Sequence, residues 1–299
     1  HIATGRNGNL MWSMGHQRLA IVDPNSSSAD MPFLLQFGQD KRVQLVANGE
    51  IYNHKTLYKE LVDDHGWKED RISHSDCEVI AHACACLGPE QAVTKLDGMF
   101  AFVLFQGNGD IFAARDRVGI KPLYKATDYN GNYVFSSELK ALVGHVDASS
   151  VQAIPAGHYW TPKTGLVRYY QPDWLFDDNF APWLYQEQPS DEEIRHAFTQ
   201  AVQKRMMSDV EYGFLLSGGV DSCVLSHVLL PLYRKENDTP IPCFTVGMEN
   251  SPDLMAAKAM VDALGGPQYV DHRPRIFTGN DVYDLIPKII YHMETYEAE

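Results

Sequence analysis

An apolar run ends at Leu216, and the next six residues are Ser217, Gly218, Gly219, Val220, Asp221 and Ser222. Two hydroxyls, two glycines and a carboxylate at that spacing suit the holding of an anion, phosphate above all. Gly218 and Gly219 permit backbone angles and a close approach that side chains would forbid. Where a helix opens, its free amides and its dipole favour negative charge. Ser217 and Ser222 can donate hydroxyl hydrogens, and Asp221 can hold a Mg2+ ion carried by the phosphates. Neither the dinucleotide pattern GxGxxG nor the lysine-bearing GxxxxGK[ST] fits this stretch. A plain strand-to-helix turn can also contain Ser-Gly-Gly, so the tripeptide alone leaves both readings open.

Such a loop needs a strand before it and a helix after it, and the chain from residue 191 onward supplies that alternation. A helix, "DEEIRHAFTQAVQKRMM", opens after Ser190 as N-cap, and strand "YGFLL" leads through the glycines into helix "CVLSHVLLPLY". Strand "CFTVGM" leads to Ser251 as N-cap, Pro252 at the first helical position and "DLMAAKAMVDALGG". A third strand, "PQYVDH", precedes a last helix with Val282, Leu285, Ile286, Ile289, Ile290 and Met293 on one stripe. This predicts the start of a doubly wound parallel sheet, an incomplete α/β domain over 190–299, with ligands beyond the carboxyl ends of its strands.

Residues 10–170 have another texture. "GHQRLAIVD", "RVQLVANGEIY", "GMFAFVLFQ", "DIFAARD" and "NYVFSSE" read as strands, with a hairpin turn at "GNGD", 107–110. One helix is expected after Asn53 as N-cap. Another is expected from Ser75, with Glu78 completing a capping box. Strand runs with few helices predict an α+β domain of antiparallel sheets over residues 1–180. The stretch 171–190, with three prolines and broken periodicity, is the expected boundary.

The 299 residues carry a net charge of −14, which argues against nucleic acid and anionic membranes as partners. No apolar run approaches the roughly 18–20 residues that span a bilayer. Five cysteines without a CxxC pair suggest reduced thiols and a cytoplasmic setting, with Cys84 and Cys86 as core packing. The chain opens on His1 with no initiator methionine and reads as a piece of something longer.

The whole hexapeptide "SGGVDS" after an apolar strand resembles the pyrophosphate loop of the ATP pyrophosphatase superfamily. Those enzymes cut ATP between its α- and β-phosphates, so the lysine of γ-phosphate transferases is not expected. Upstream, "GHQRLAIVD", "ANGEIYNH", "SDCEVI", "LDGMFAF" and "ARDRVGIKPLY" resemble class II glutamine amidotransferases. Together with "MSDVEYGFLLSGGVDS", "FTVGMENSPDLMAAKAMVDALG" and "YHMETY", they make the chain similar to the family of glutamine-hydrolysing asparagine synthetases.

The resemblance implies an Ntn-type α/β/β/α sandwich for the first domain. It also implies a glutamine site of Arg18, Leu19, Ala20, Ile21, Val22, Asn48, Gly49, Glu50 and Asp76. Arg18 would grip the α-carboxylate with a bidentate fork. Glu50 and Asp76 would receive the α-ammonium. Asn48, through its amide, and Gly49, through its N–H, would form the oxyanion hole. Each residue also has a plain alternative: a surface ion pair for Arg18, a helix N-terminus for Asp76, a hairpin turn for "NGE". The attacking thiol of this class belongs to an N-terminal cysteine, expected in a segment before His1.

For ATP, the resemblance adds Leu215 and Val246, whose backbones would flank the adenine while their side chains are buried strand residues. The implied ligands are glutamine, aspartate, ATP and Mg2+, and a homodimer is compatible with the reading. At the end, Glu297 stands where the family has Asp, and Ala298 and Glu299 also depart from it. A related ligase for another acid and a non-catalytic binding module are the rival readings.

Overall fold

The computed structural model describes residues 1–7, 10–38, 41–172 and 188–295. Most of the expected boundary stretch, and the departures at Glu297, Ala298 and Glu299, lie outside the described residues. The chain divides into two compact units, His1–Gln186 and Glu187–Glu299.

The first unit opens with a hairpin of β1 (Ile2–Asn7) and β2 (Leu10–Gly15). Then come β3 (Phe33–Phe37), β4 (Lys41–Ile51), α1 (His54–His65), α2 (Glu78–Leu87) and α3 (Pro89–Lys95). β5 (Gly98–Gln106), β6 (Ile111–Arg115), β10 (His158–Thr161) and β11 (Gly165–Arg168) complete a six-stranded antiparallel sheet, ordered β11-β10-β6-β5-β4-β3. β7 (Tyr124–Thr127), β8 (Tyr133–Ser136) and β9 (Gln152–Ala153) form a second, three-stranded antiparallel sheet.

Strand β5 is the centre of this unit. Phe100, Phe102 and Leu104 face the helices, meeting Leu57 and Leu61 of α1, Val79 and Ile80 of α2 and Val93 of α3. Ala101 and Val103 face the other way and pack with Leu123, Ile154 and Trp160 beside the second sheet. A strand covered on both faces has no polar side to show, which is why "GMFAFVLFQ" lacks alternation. Each such buried Phe or Leu contributes about 1.5–3 kcal/mol. The layers are therefore helices, sheet, sheet, the antiparallel arrangement expected for this part of the chain. Among the described residues, only short 3-10 turns at 139–141 and 148–150 accompany the outer sheet.

Several local expectations change. "GHQRLAIVD" is not a strand: β2 stops at Gly15, and residues 16–22 run without regular structure. The Arg18 guanidinium bonds to the carbonyls of Val22 and Asp23 and curls the segment away from a ladder. Asn53 precedes α1 but does not cap it; its amide bridges to the Lys95 carbonyl and the Asp97 N–H. The capping box at Ser75 also fails. The helix begins only at Glu78, whose carboxylate turns back to accept from Ile72 N, Ser73 N and Ser73 Oγ. The hairpin at 107–110 forms as expected, with Gly109 in the left-handed region at φ +91°. Cys84 is buried and Cys86 packs against the same core.

The second unit contains α4 (Asp191–Lys204), β12 (Phe214–Leu215), α5 (Val220–Tyr233), β13 (Ile241–Met248), α6 (Pro252–Ala263), β14 (Val270–Phe277) and α7 (Gly279–Met293). Ser190 and Glu193 form a reciprocal capping box on α4, and Ser251 caps α6 with Pro252 at its first position. The three strands are parallel, in the order β12-β13-β14. Their buried face (Phe214, Leu216, Ile241, Cys243) packs with Leu229 and Leu230 of α5 and Ala257 and Val261 of α6.

The opposite face carries Leu215, Phe244, Val246 and Met248 and is exposed. The expectation that Leu215 and Val246 are buried is therefore corrected: they are 73% and 58% exposed, on the alternate side of strands covered on one face. The apolar stripe of α7 forms at the predicted spacing, yet none of its residues is buried. The last strand also begins later than "PQYVDH" suggests, because 266–268 form a 3-10 turn.

Candidate functional site

In the first unit, Asn48, Gly49 and Glu50 lie within β4, opposite Ala101, Phe100 and Met99 of β5. The plain alternative of a hairpin turn at "NGE" is thus overturned. Gly49 has φ +148°, and a Cβ there would sit 1.9 Å from the Met99 carbonyl oxygen. A Cβ on Gly98, across the ladder, would sit 2.2 Å from the Glu50 oxygen. Two glycines let the strands approach more closely here than side chains allow.

Asp76 stands in the turn before α2, 6% exposed, and accepts the Ile51 N–H at 2.7 Å. Burial pushes its carboxyl above the usual range, against the lowering effect of that hydrogen bond. Next to it, Cys77 Sγ donates to the Gly49 carbonyl at 3.4 Å. Burial first, and the neighbouring Asp76 second, hold this thiol well above its ordinary value. A neutral, buried thiol bonded to a carbonyl is a strut and not a nucleophile.

The third segment is 16–23. Arg18 places Nη2 on the carbonyls of Val22 (2.6 Å) and Asp23 (2.7 Å), and Nη1 on the Asp30 carboxylate at 3.2 Å and the Ser26 carbonyl at 3.4 Å. Its terminal nitrogens therefore already organise the 22–30 loop. Leu19 is exposed, while Ala20, Ile21 and Val22 are half-buried. Asp23 accepts the His74 N–H at 2.8 Å, which ties this segment to the turn that carries Asp76. The structure thus links 18–23, 48–51 and 74–77, three stretches far apart in sequence.

Residues to which the sequence reading gave no site role support this cluster. His16, at the start of the segment, is hydrogen-bonded to the backbone of Ala47, beside Asn48; burial holds its imidazole below the usual range. Glu78 and His82 are fully buried, with Glu78 Oε1 and His82 Nε2 3.0 Å apart. Trp67 donates its indole N–H to His82 Nδ1 at 2.9 Å, which leaves Nε2 to donate to Glu78. Burial alone would raise the Glu78 carboxyl; bonds from His82, Ser73 and Ile72 outweigh it and keep it below the usual range. The i, i+4 spacing of Glu78 and His82 was the available signal for this pair.

In the second unit, β12 ends at Leu215 and α5 begins at Val220, with Gly219 as its N-cap. Gly218 has φ +80°, and a Cβ there would lie 2.6 Å from Ala256 Cβ and 2.8 Å from Ala257 N on α6. Ser217 Oγ and Ser222 Oγ are 3.1 Å apart, and Ser217 Oγ accepts the Gly219 N–H at 3.3 Å. Asp221 is exposed in the first turn of α5. Leu215 and Val246 lie on the exposed sheet face, on adjacent parallel strands. The predicted loop residues are therefore together at a strand end and a fourteen-residue helix start. Among the described residues, no group of three His, Cys, Asp or Glu side chains could hold a metal ion.

A guanidinium, a buried carboxylate and an Asn-Gly backbone thus come together in one cluster, as the resemblance to class II amidotransferases implies. The comparisons with known proteins agree: a family model described as a glutamine amidotransferase domain matches residues 6–165, more than half of the chain, and the chain belongs to that family. A second model, described as asparagine synthase, matches residues 193–298. A glutamine-hydrolysing asparagine synthetase of Triphysaria versicolor is 41% identical over 292 residues, covering 95% of this chain and 46% of the relative. One from Arabidopsis thaliana is 40% identical, with 95% and 47% covered, and a probable one from Dictyostelium discoideum 39%, with 95% and 50%. The chain spans about half the length of the curated relatives it matches. A solved glutamine phosphoribosylpyrophosphate amidotransferase from B. subtilis overlays 84% of this chain and 49% of its own, at 17% identity and a TM-score of 0.42, too loose to argue from.

Proposed function

We propose that this chain carries the glutamine-hydrolysing and ATP-cleaving parts of an asparagine synthetase. The observation that carries the reading is the order of two site-bearing units, each matching its own family model at its own cluster. Glutamine is held by Arg18, Glu50 and Asp76, with the backbone of 19–22 beside it, and its tetrahedral intermediate by Asn48 and the Gly49 N–H. The liberated ammonia serves the second unit. There, the β-carboxylate of aspartate attacks the α-phosphorus of ATP, forming β-aspartyl-AMP and expelling pyrophosphate; ammonia then displaces AMP to give asparagine.

Ser217, Gly218, Gly219, Val220 and Ser222 cradle the pyrophosphate, and the backbones of Leu215 and Val246 flank the adenine. For Mg2+, a single exposed carboxylate, Asp221, fits an ion that keeps several waters and arrives on the phosphates. Such an ion would neutralise charge on the departing pyrophosphate. The setting is cytoplasmic, and among the described residues no helix is long and apolar enough to cross a membrane.

The test uses the complete protein that carries this chain. Labelled pyrophosphate should exchange into ATP only when aspartate is present, and glutamine should be hydrolysed. Exchange that requires a different acid would reject asparagine synthesis in favour of a related ligase.

A further inference from the structure

The motif "ARDRVGIKPLY" contributes nothing to the roles above, yet its carboxylate is the most heavily bonded side chain described. Asp116 is fully buried just past the end of β6. Its Oδ1 accepts the N–H groups of Val118 (3.1 Å), Gly119 (2.6 Å) and Ile120 (3.0 Å). Its Oδ2 accepts those of Lys121 (3.0 Å) and Phe100 (3.2 Å). The Asp116 N–H in turn donates to the Phe100 carbonyl at 2.8 Å. Both backbone groups of Phe100 thus end on one residue.

Phe100 is the residue opposite Gly49 in the β4–β5 ladder. At that point the strands are so close that a Cβ on Gly49 would lie 2.7 Å from Phe100 Cα. Any shift of Phe100 must therefore be passed to Gly49. From the glutamine-hydrolysis reading and this geometry, we infer that Asp116 is the positioning residue of the oxyanion site. It touches no substrate. It clamps Phe100, and the clamp sets the direction in which Gly49 presents its N–H. The tightly folded 117–121 loop is the means by which four further amides fix the carboxylate in place.

Arg115 provides a built-in control. It binds the same loop, donating to the carbonyls of Lys121 (2.6 Å), Gly119 (2.7 Å) and Ile154 (3.0 Å), with no side-chain bond to Phe100. A role limited to holding the loop would make Asp116 and Arg115 equivalent. A role in positioning makes them different.

Asp116→Asn keeps the shape but offers one oxygen where two served. With that oxygen on the three-donor side, the new NH2 faces the Phe100 and Lys121 amides, which lose their acceptor. In the complete protein, kcat for glutamine hydrolysis should fall about 10–100-fold, the scale of a misplaced reacting group. The KM for glutamine and synthesis from free ammonia should stay within about twofold, because the oxyanion forms only during the reaction. Arg115→Lys should lower the melting temperature and leave kcat within about twofold. An Asp116→Asn protein with wild-type kcat, or one in which both activities fall alike, would overturn the positioning role. If Asp116→Asn does not fold, Gly98→Ala crowds the same ladder with Asp116 intact and should also lower kcat; unchanged kcat there overturns the inference. Absence of glutamine hydrolysis in the wild-type protein would sink the amidotransferase reading itself, a separate failure.

Discussion

The glutamine cluster and the anion loop solve opposite problems. In the first unit the residues proposed to hold glutamine are also structural: Asp76 ties off β4, Arg18 holds the 22–30 loop, and Gly49 has no room for a methyl. In the second unit the loop's hydroxyls bond mostly to one another and to their own turn, and Asp221 is exposed. On the proposed reading, a zwitterionic amino acid is held by directed ion pairs and hydrogen bonds at fixed positions, so its site is woven into a core. A polyphosphate is recognised by charge and free amides, so its loop is left open. Substitutions should therefore couple activity to stability in the first unit and separate them in the second.

The hardest test of that contrast is a methyl group. Gly49→Ala drives a Cβ into the Met99 carbonyl and should destabilise the first unit by about 3 kcal/mol or more, read as a shift in denaturant midpoint. Gly219→Ala meets only Ser217 Oγ at 3.4 Å, at φ −71°, and should cost the second unit no more than about 1 kcal/mol. Equal losses would erase the distinction between the two sites.

Next in size is a pair of charge deletions. Asp221→Asn should reduce aspartate-dependent pyrophosphate exchange by about 10²-fold. Its stability should stay within about 1 kcal/mol of wild type, the size of one helix-terminus interaction. Arg18→Ala should raise the KM for glutamine and also destabilise the first unit by about 2 kcal/mol, since several charge-assisted bonds to the 22–30 loop disappear. If Arg18→Ala changes KM with no loss of stability, its loop bonds are incidental. If Asp221→Asn leaves exchange untouched, the carboxylate only favours the start of α5.

The smallest effect lies in pH, within the first unit. The Asp76 carboxyl is raised in the folded state, so between the unfolded value, about 3.9, and that raised value the folded chain holds the extra proton. Its contribution to stability is fully present below the unfolded value and falls as pH rises through this window. Glu78 has the opposite sign. Its lowered carboxyl contributes stability present above about pH 4.3, lost as pH falls through the folded value. Melting curves against pH should show Asp76→Asn removing the downward slope, and Glu78→Gln removing the gain between acid and neutral pH. A wild-type profile unaffected by either change would place both carboxyls in ordinary surroundings.

Much of the fold was legible because it rests on local chemistry. Ser190, and Ser251 with Pro252, announce their helices within a few residues, and "GNGD" announces its hairpin. The β1–β2 hairpin was missed although Asn7 and Gly8 carry a hairpin signal in the sequence, and α3, at seven residues, is too short for a clear periodicity. Asn53 and Glu78 were misread for a different reason. Both have the side chain a cap requires, but Lys95 and Asp97 claim the first, and Ile72 and Ser73 claim the second. Propensity describes what a residue can do near its own position, and tertiary partners decide among the options.

The amino-acid sequence by itself determined the antiparallel-then-parallel order, the anion loop at a strand end and the residue types of both clusters. Those depend on spacing and composition along a few residues of chain. Only the tertiary structure decided that β4 runs through Asn48 and Gly49 without turning, and that Leu215 and Val246 face outward. It alone shows that Asp116, sixteen residues beyond Phe100 in the chain, bonds to both backbone groups of Phe100, the residue opposite Gly49. Each of these is set by contacts between segments distant in sequence, where a difference of one residue in register reverses the side chain's face.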